Sequence, residues 1–77
     1  MKAQTAEATF NVVVEKDEDG YYVGSVVELP GCHTQARNLD QLNDRIREAI
    51  EGYVRVTRPE RAPEFVGTHQ LKIRLPK

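Results

Sequence analysis

Cys32 and His33 are neighbours, and their side-chain types could support nucleophilic chemistry in this 77-residue chain. A cysteine thiolate needs a base within hydrogen-bond reach and a third group that orients the base. Cys32 is the only cysteine in the sequence, and the second histidine, His69, lies far along the chain. Adjacent residues of a strand point to opposite faces, so the side chains of Cys32 and His33 should diverge. We therefore expect Cys32 to pack as a small apolar residue, and we predict no catalytic residue.

Metal and phosphate chemistry is also poorly supported by the sequence. The carboxylates of Asp17-Glu18-Asp19 could approach a cation, but they lack the spacing and the distal glutamate of a calcium loop. Cys32, His33 and His69 do not form a known zinc-ligand spacing. The sequence also has no glycine-rich phosphate loop and no serine nucleophile elbow. We predict no metal and no cofactor, and we expect that the chain is not an enzyme.

The elements that position these residues are predicted from hydrophobic periodicity. Apolar and polar residues alternate from Thr9 to Glu15 and from Tyr21 to Glu28, which predicts two strands. Asp19-Gly20 lies between them and predicts a hairpin turn. Gly24, within the second strand, indicates a bulge or a close backbone approach. A short third strand is predicted from His33 to Arg37, after a corner that contains proline and glycine.

One amphipathic helix is predicted to follow. Asn38 can cap its first turn, and Gln41 three residues later completes a variant capping box. Apolar residues then recur at helical spacing and should form the buried face: Leu39, Leu42, Ile46, Ala49, Ile50 and Tyr53. Gly52 weakens the helix without necessarily ending it, since Val54 and Val56 could continue the pattern.

The rest of the chain is predicted to be a connector and a final strand. Thr57 to Thr68 should be irregular because Arg58-Pro59 and Ala62-Pro63 forbid helix. The final strand should carry Leu71, Ile73 and Leu75 on one face. The predicted order β-β-β-α-β gives an α+β fold in which one helix packs on one face of an antiparallel sheet. Residues 1–8 are expected to be a flexible N-terminus and residues 9–77 a single domain.

Self-association is expected from the size of the chain and from its sheet. Val13 is opposite in parity to Val12 and Val14, so both sheet faces carry apolar residues although the helix covers one face. A chain this short has a thin core, and a single cysteine cannot form an internal disulfide. Association is then the remaining means of stabilisation. We expect a homodimer or a higher homo-oligomer.

The charge balance excludes an overall basic surface. Eleven basic residues stand against twelve acidic ones, and the formal net charge is −1. Nonspecific nucleic-acid binding usually requires clustered lysine and arginine, so direct DNA binding by this chain alone is not expected. The sequence shows no signal peptide and no apolar run long enough to span a bilayer. We therefore expect a cytoplasmic protein with no membrane partner.

Three segments together resemble the HicB antitoxin family. They read GYYV at residues 20–23, ELPGCHTQ at residues 28–35 and IREAIEGY at residues 46–53. The resemblance implies a β-β-β-α-β fold like a trimmed ribonuclease H that lacks the metal-binding carboxylates of that fold. It also implies an oligomer and a toxin partner, HicA, which is a small basic protein that cleaves mRNA. The resemblance thus favours an antitoxin domain that binds and masks its toxin without chemistry of its own.

Acidic surfaces are the expected contacts for a basic toxin. They are the hairpin tip and the exposed side of the helix, with Asp17, Glu18, Asp19, Asp40, Asp44, Glu48 and Glu51. Longer members of the family usually add a C-terminal DNA-binding module, and this chain stops at its last predicted strand, so repression is not expected of it. An alternative is an orphan dimer of the same fold with a small-ligand-binding or structural role. A nuclease is disfavoured because the carboxylate set is missing.

Overall fold

The computed structural model describes residues 7–57 and 63–76 and has an α+β fold. Its elements in chain order are β1 (Val12–Lys16), β2 (Tyr22–Val26), β3 (His33–Ala36) and α1 (Leu39–Val56). The strands form one antiparallel sheet in the order β1-β2-β3. The helix follows the sheet, which confirms the predicted fold class. The predicted flexible N-terminus falls mostly on residues 1–6, which lie outside the described ranges.

The first two strands form the predicted hairpin with a continuous register. Pairing runs from Val12 opposite Val26 to Lys16 opposite Tyr22. Gly20 has a φ of 89°, a conformation that glycine adopts at little cost, and it closes the turn. No bulge interrupts the paired residues. Of the two roles predicted for Gly24, a bulge or a close backbone approach, the second therefore applies. A Cβ atom on Gly24 would lie 3.0 Å from Cδ1 of Ile46, which shows a close approach between β2 and the helix.

The core lies between the sheet and the helix and includes the corner between β2 and β3. Its buried side chains are Val26, Leu29, Cys32, Ala36, Leu42 and Ile46. Leu29 and Leu42 are the largest fully buried ones. Leu29 belongs to the corner, where the Cys32 N–H donates to the Leu29 carbonyl oxygen at 2.9 Å. Gly31, with a φ of 85°, allows the chain to reverse there. The corner is therefore part of the core as well as a connection.

The helix begins at the predicted cap. Oδ1 of Asn38 accepts a hydrogen bond from the Gln41 N–H at 2.8 Å, which satisfies one of the amides left free at a helix start. The Gln41 side chain accepts from the Arg37 N–H at 3.3 Å, one residue earlier than a standard capping box would place it. The helix continues through Gly52 to Val56, an extension that the sequence pattern allowed. Leu39 is the exception to the predicted buried face, since 51% of its surface is exposed.

The predicted final strand is not formed. Residues 63–76 carry neither helix nor strand, and Leu71, Ile73 and Leu75 are 68% to 76% exposed. A strand requires a neighbouring strand that completes its backbone hydrogen bonds, and no described segment of the chain pairs with these residues. Apolar and polar residues do alternate in this segment, but alternation does not indicate which strand, if any, the segment pairs with.

Candidate partner-binding surface

The structure separates Cys32 from His33. Cys32 is 6% exposed and lies in the core, whereas the side chain of His33 is exposed at the start of β3. Burial raises the pKa of the Cys32 thiol, so the neutral thiol dominates at neutral pH, and a neutral thiol is a weak nucleophile. The interpretation of Cys32 as a packing residue is confirmed.

Carboxylates do not gather into a metal site in the part of the chain that the structure describes. No group of three or more histidine, cysteine, aspartate or glutamate side chains could hold an ion there. Glu28 has a different role, because its carboxylate accepts hydrogen bonds from the backbone N–H and the side-chain amide of Asn11, at 2.8 Å and 2.6 Å. These two bonds lower the pKa of Glu28. They join the residue before β1 to the corner after β2.

The acidic hairpin tip divides into one residue that shapes the turn and two whose side chains are exposed. Oδ1 of Asp17 accepts hydrogen bonds from the N–H groups of Asp19 and Tyr21, at 3.0 Å and 2.9 Å. Asp17 therefore shapes the turn by a local side-chain-to-backbone pattern. Glu18 and the carboxylate of Asp19 remain exposed at the tip. Arg37 lies beside this tip, with its guanidinium 5.2 Å from the centre of the Tyr21 ring.

Four exposed carboxylates form a ridge on the helix, which we call the acidic ridge. It consists of Asp40, Asp44, Glu48 and Glu51. With 3.6 residues per turn, these four positions fall within an arc of about 80° on the side of the helix opposite Leu42 and Ile46. These positions therefore lie on the outer side of the helix. The ridge is about 16 Å long, because its ends are eleven residues apart at 1.5 Å per residue.

The hairpin tip lies at the same end of the molecule as the start of the acidic ridge. Tyr22, just after the hairpin turn, pairs with Ala36, which precedes the helix cap Asn38 by two residues. The structure thus brings Asp19 and Asp40 to one end of the fold. Glu51 lies toward the other end of the helix. The predicted acidic residues therefore form a tip and a ridge rather than one compact cluster.

Two further features were not predicted from the sequence. One is the outer edge of β1, which pairs with no described segment and which we call the open edge; the other is a cleft beside it. The Asn11 carbonyl accepts from the Val27 N–H, and the Asp17 N–H donates to the Tyr21 carbonyl, each at 2.9 Å. Backbone groups alternate in direction along a strand, so those of Val12, Val14 and Lys16 point away from β2. The sheet order was needed to identify this edge, and no local signal in the sequence reveals it.

The cleft lies between the helix and the segment that leads into β1. It has a volume of ≈ 410 Å³, and its apolar lining comes from Phe10, Ile46 and Ile50. Arg47 and Glu51 stand among the other lining residues. The other edge of the sheet is different, because Nη1 of Arg45 donates to the Gln35 carbonyl of β3 at 2.8 Å. An apolar cleft and a strand edge with no neighbour among the described residues therefore meet on the β1 side of the molecule.

The sequence of this chain is similar to a known protein family and to individual proteins. The sequence profile of a family described as "HicB_like antitoxin of bacterial toxin-antitoxin system" matches residues 10–71. A UPF0150 protein of Archaeoglobus fulgidus is 51% identical over 65 residues, which cover 84% of this chain and 94% of that protein. A UPF0150 protein of Synechocystis is 38% identical over 64 residues, covering 83% and 93% of the two chains. No solved structure matches this chain. Among the described residues, no helix is both long and apolar enough to cross a membrane.

Proposed function

We propose that this chain, which belongs to the HicB-like antitoxin family of bacterial toxin–antitoxin systems, binds a small HicA-type mRNA-cleaving toxin and masks its active surface. The observation that carries the proposal is the family match, which extends over residues 10–71 and so includes all three strands and the helix. The function that follows is steric and electrostatic and requires no reaction on this chain.

The state of the chemically capable side chains supports a non-catalytic role. The Cys32 thiol is buried and its pKa is raised, which disfavours the nucleophilic thiolate. The Glu28 carboxylate accepts two hydrogen bonds from Asn11. Asp17 is likewise engaged in its own turn. These three groups serve the fold, which leaves binding as the activity that the surface supports best.

The acidic ridge is the surface that we propose for the toxin. Its four carboxylates are exposed, so a partner can reach them without disturbing the fold. Charge complementarity raises the rate of encounter between proteins and favours the correct orientation. A basic toxin would be attracted most strongly where several carboxylates lie close together. The exposed carboxylates of Glu18 and Asp19 would extend this negative surface at the end that includes Asp40.

The proposal has two further parts. We propose that the chain forms a homodimer or a higher homo-oligomer, as expected for a domain whose core is thin. We also propose that it acts in the cytoplasm, because a toxin that cleaves mRNA must be masked where mRNA is found. The self-association rests on the size of the domain, and the location rests on the antitoxin role.

Co-expression tests the masking function directly. The neighbouring small reading frame is expressed in a host cell with and without this chain, and growth and co-purification are measured. We expect growth arrest with the neighbour alone, and rescue together with a stable complex when both are present. Failure of rescue with no complex formed would contradict the antitoxin role and favour the orphan dimer as the function of this fold.

The acidic ridge is tested by charge reversal with a matched control. The double variant Asp44→Lys/Glu48→Lys keeps like charges four residues apart, so the repulsion within this pair is unchanged in kind. The control Glu7→Lys/Glu64→Lys makes the same charge change at exposed positions that are not part of the ridge. We expect the ridge variant to weaken toxin binding by roughly tenfold, since two lost ion pairs of up to about 1 kcal/mol each correspond to at most about thirtyfold. Equal binding by both variants would exclude the ridge as the contact.

A further inference from the structure

We infer that the segment of residues 70–76 pairs as a strand with the outer edge of β1 in a second copy of this chain. This inference rests on the self-association proposed above, for which it names the interface, and it does not depend on toxin binding. Two features of the structure support the inference. One is an alternating apolar segment that pairs with no described strand, and the other is a strand edge without a neighbour among the described residues.

The segment has the side-chain pattern of a strand but none of its contacts. Leu71, Ile73 and Leu75 alternate with Lys72 and Arg74. The three apolar side chains are 75%, 68% and 76% exposed. Contiguous exposed apolar groups on a small protein usually mark an interaction site. The segment from Leu71 to Leu75 also equals β1 in length, since β1 has five residues.

The edge of β1 offers both the hydrogen bonds and the apolar surface that such a strand requires. The outward backbone groups of Val12, Val14 and Lys16 can complete a ladder with an added strand. Side chains of an added strand alternate between the two faces of the sheet. Those on the helix side would enter the cleft lined by Phe10 and Ile50. Leu71, Ile73 and Leu75 suit that cleft in type and spacing.

The charges of the segment agree with the same placement. When the apolar residues face the helix side, Lys72 and Arg74 face the open side of the sheet. The open face of β1 carries Val13 and Glu15, and Glu15 is exposed. Opposite charges on adjacent strands stabilise a sheet. The cation of β1 itself, Lys16, lies on the other face, with its ammonium 5.3 Å from the centre of the Tyr22 ring, so it does not oppose the incoming pair.

The dimensions of the chain favour a second copy over pairing within one chain. The radius of gyration is 15.9 Å, whereas a compact domain of this length has about 11 Å. The longest dimension, 66 Å, is more than twice the next, 27 Å. The segment thus extends beyond the body of its own chain. Because each copy has one segment and one open β1 edge, a reciprocal exchange around a twofold axis satisfies both copies.

Two sets of variants test the inference by size-exclusion chromatography with light scattering at micromolar concentrations. Ile73→Asp places a charge in the cleft, and Val66→Asp is the control because Val66 is exposed and lies outside the segment. We expect the unmodified chain and the control to have twice the chain mass of 8.8 kDa. We expect Ile73→Asp to be a monomer whose helical circular dichroism signal is unchanged, because α1 lies outside the exchanged segment. Its dissociation constant should rise about a hundredfold or more, since each dimer loses two buried isoleucines.

Charge exchange tests the partner edge separately. Glu15→Lys should weaken the dimer, and the triple variant Glu15→Lys/Lys72→Glu/Arg74→Glu should restore it. A monomeric unmodified chain would overturn both this inference and the proposed self-association. A dimer that survives Ile73→Asp would overturn this inference alone, and so would a failure of the charge exchange to restore association. None of these outcomes depends on the toxin, so the masking function is judged independently.

Discussion

Substitution of Gly24 tests the close packing between β2 and the helix. A Cβ atom at this position would lie 3.0 Å from Cδ1 and 3.2 Å from Cγ1 of Ile46, and 3.2 Å from Cγ1 of Val12. Three such contacts require the side chains of Ile46 and Val12 to shift by a few tenths of an ångström. Overpacking of this kind costs about 1–3 kcal/mol. Alanine returns about 0.4–1 kcal/mol because it restricts the unfolded chain more than glycine does.

The expected result for Gly24→Ala is a net loss of about 1–2 kcal/mol in the free energy of unfolding. In a domain of this size, this loss lowers the melting temperature by roughly 4–8 °C per kcal/mol. Gly52→Ala is the matched control, because nothing lies within 4 Å of the added Cβ and the residue is in the helix. The control should gain up to about 1 kcal/mol from helix propensity. The same chemical change therefore has opposite signs at the two positions.

A double-mutant cycle locates the strain. Ile46→Val removes the Cδ1 atom that makes the shortest contact, and alone it costs about 0.5–1.5 kcal/mol. Combined with Gly24→Ala, it should cost less than the sum of the single changes by at least about 0.5 kcal/mol. Urea unfolding followed by circular dichroism, at one fixed protein concentration, measures all four proteins. A Gly24→Ala protein as stable as the original would refute the close packing, and strict additivity would exclude Ile46 as the residue under strain.

The hydrogen bonds and burial of single side chains give three further predictions. Asn38→Ala removes the cap on the Gln41 amide and should lower the free energy of unfolding by about 1 kcal/mol; a loss below about 0.3 kcal/mol in thermal unfolding would contradict this role for the cap. Glu28 stabilises the fold above its ordinary pKa near 4.5, and this contribution disappears as the pH falls through the lowered pKa of the folded state. Glu28→Gln should therefore cost about 1 kcal/mol at pH 7 and flatten the acid side of the stability curve; parallel pH profiles of the two proteins would argue against the bond to Asn11. Cys32 should react with a thiol reagent far more slowly in the folded protein than in urea, and equal rates would show that it is not buried.

Local chemistry accounts for the parts of the fold that the sequence predicted well. The hairpin depends on Asp17 and Gly20, whose roles involve only atoms within the turn. The helix start likewise depends on Asn38 and the amide three residues later. A special role for Gly24 was predicted because glycine weakens the interior of a strand and is typical there of a bulge or a close backbone approach. In each case the signal comes from one residue or from near neighbours in the chain, so it is visible in the sequence.

The features that the sequence did not predict depend on contacts between residues that are far apart in the chain. Glu28 and Asn11 are 17 positions apart, and nothing in either local pattern indicates that they meet. Leu29 stands in a proline-glycine corner, a context that indicates exposure, yet it is fully buried. The final strand was predicted from the alternation in residues 71–75, although alternation carries no information about the neighbouring strand. The four helix carboxylates of the candidate site could be grouped from periodicity, whereas the open edge of β1 required the strand order.

The strand order also determines how the protein should acquire its structure in time. Each strand pairs with the next one in the chain, so only short loops must close before favourable contacts form. Folds with such local contacts fold rapidly, and this step is first order, independent of protein concentration. Pairing of residues 70–76 with a second copy is a bimolecular step, and its rate rises with concentration. A newly synthesised chain would therefore complete its sheet and helix before it meets another copy, and the abundance of the protein would control the second step alone.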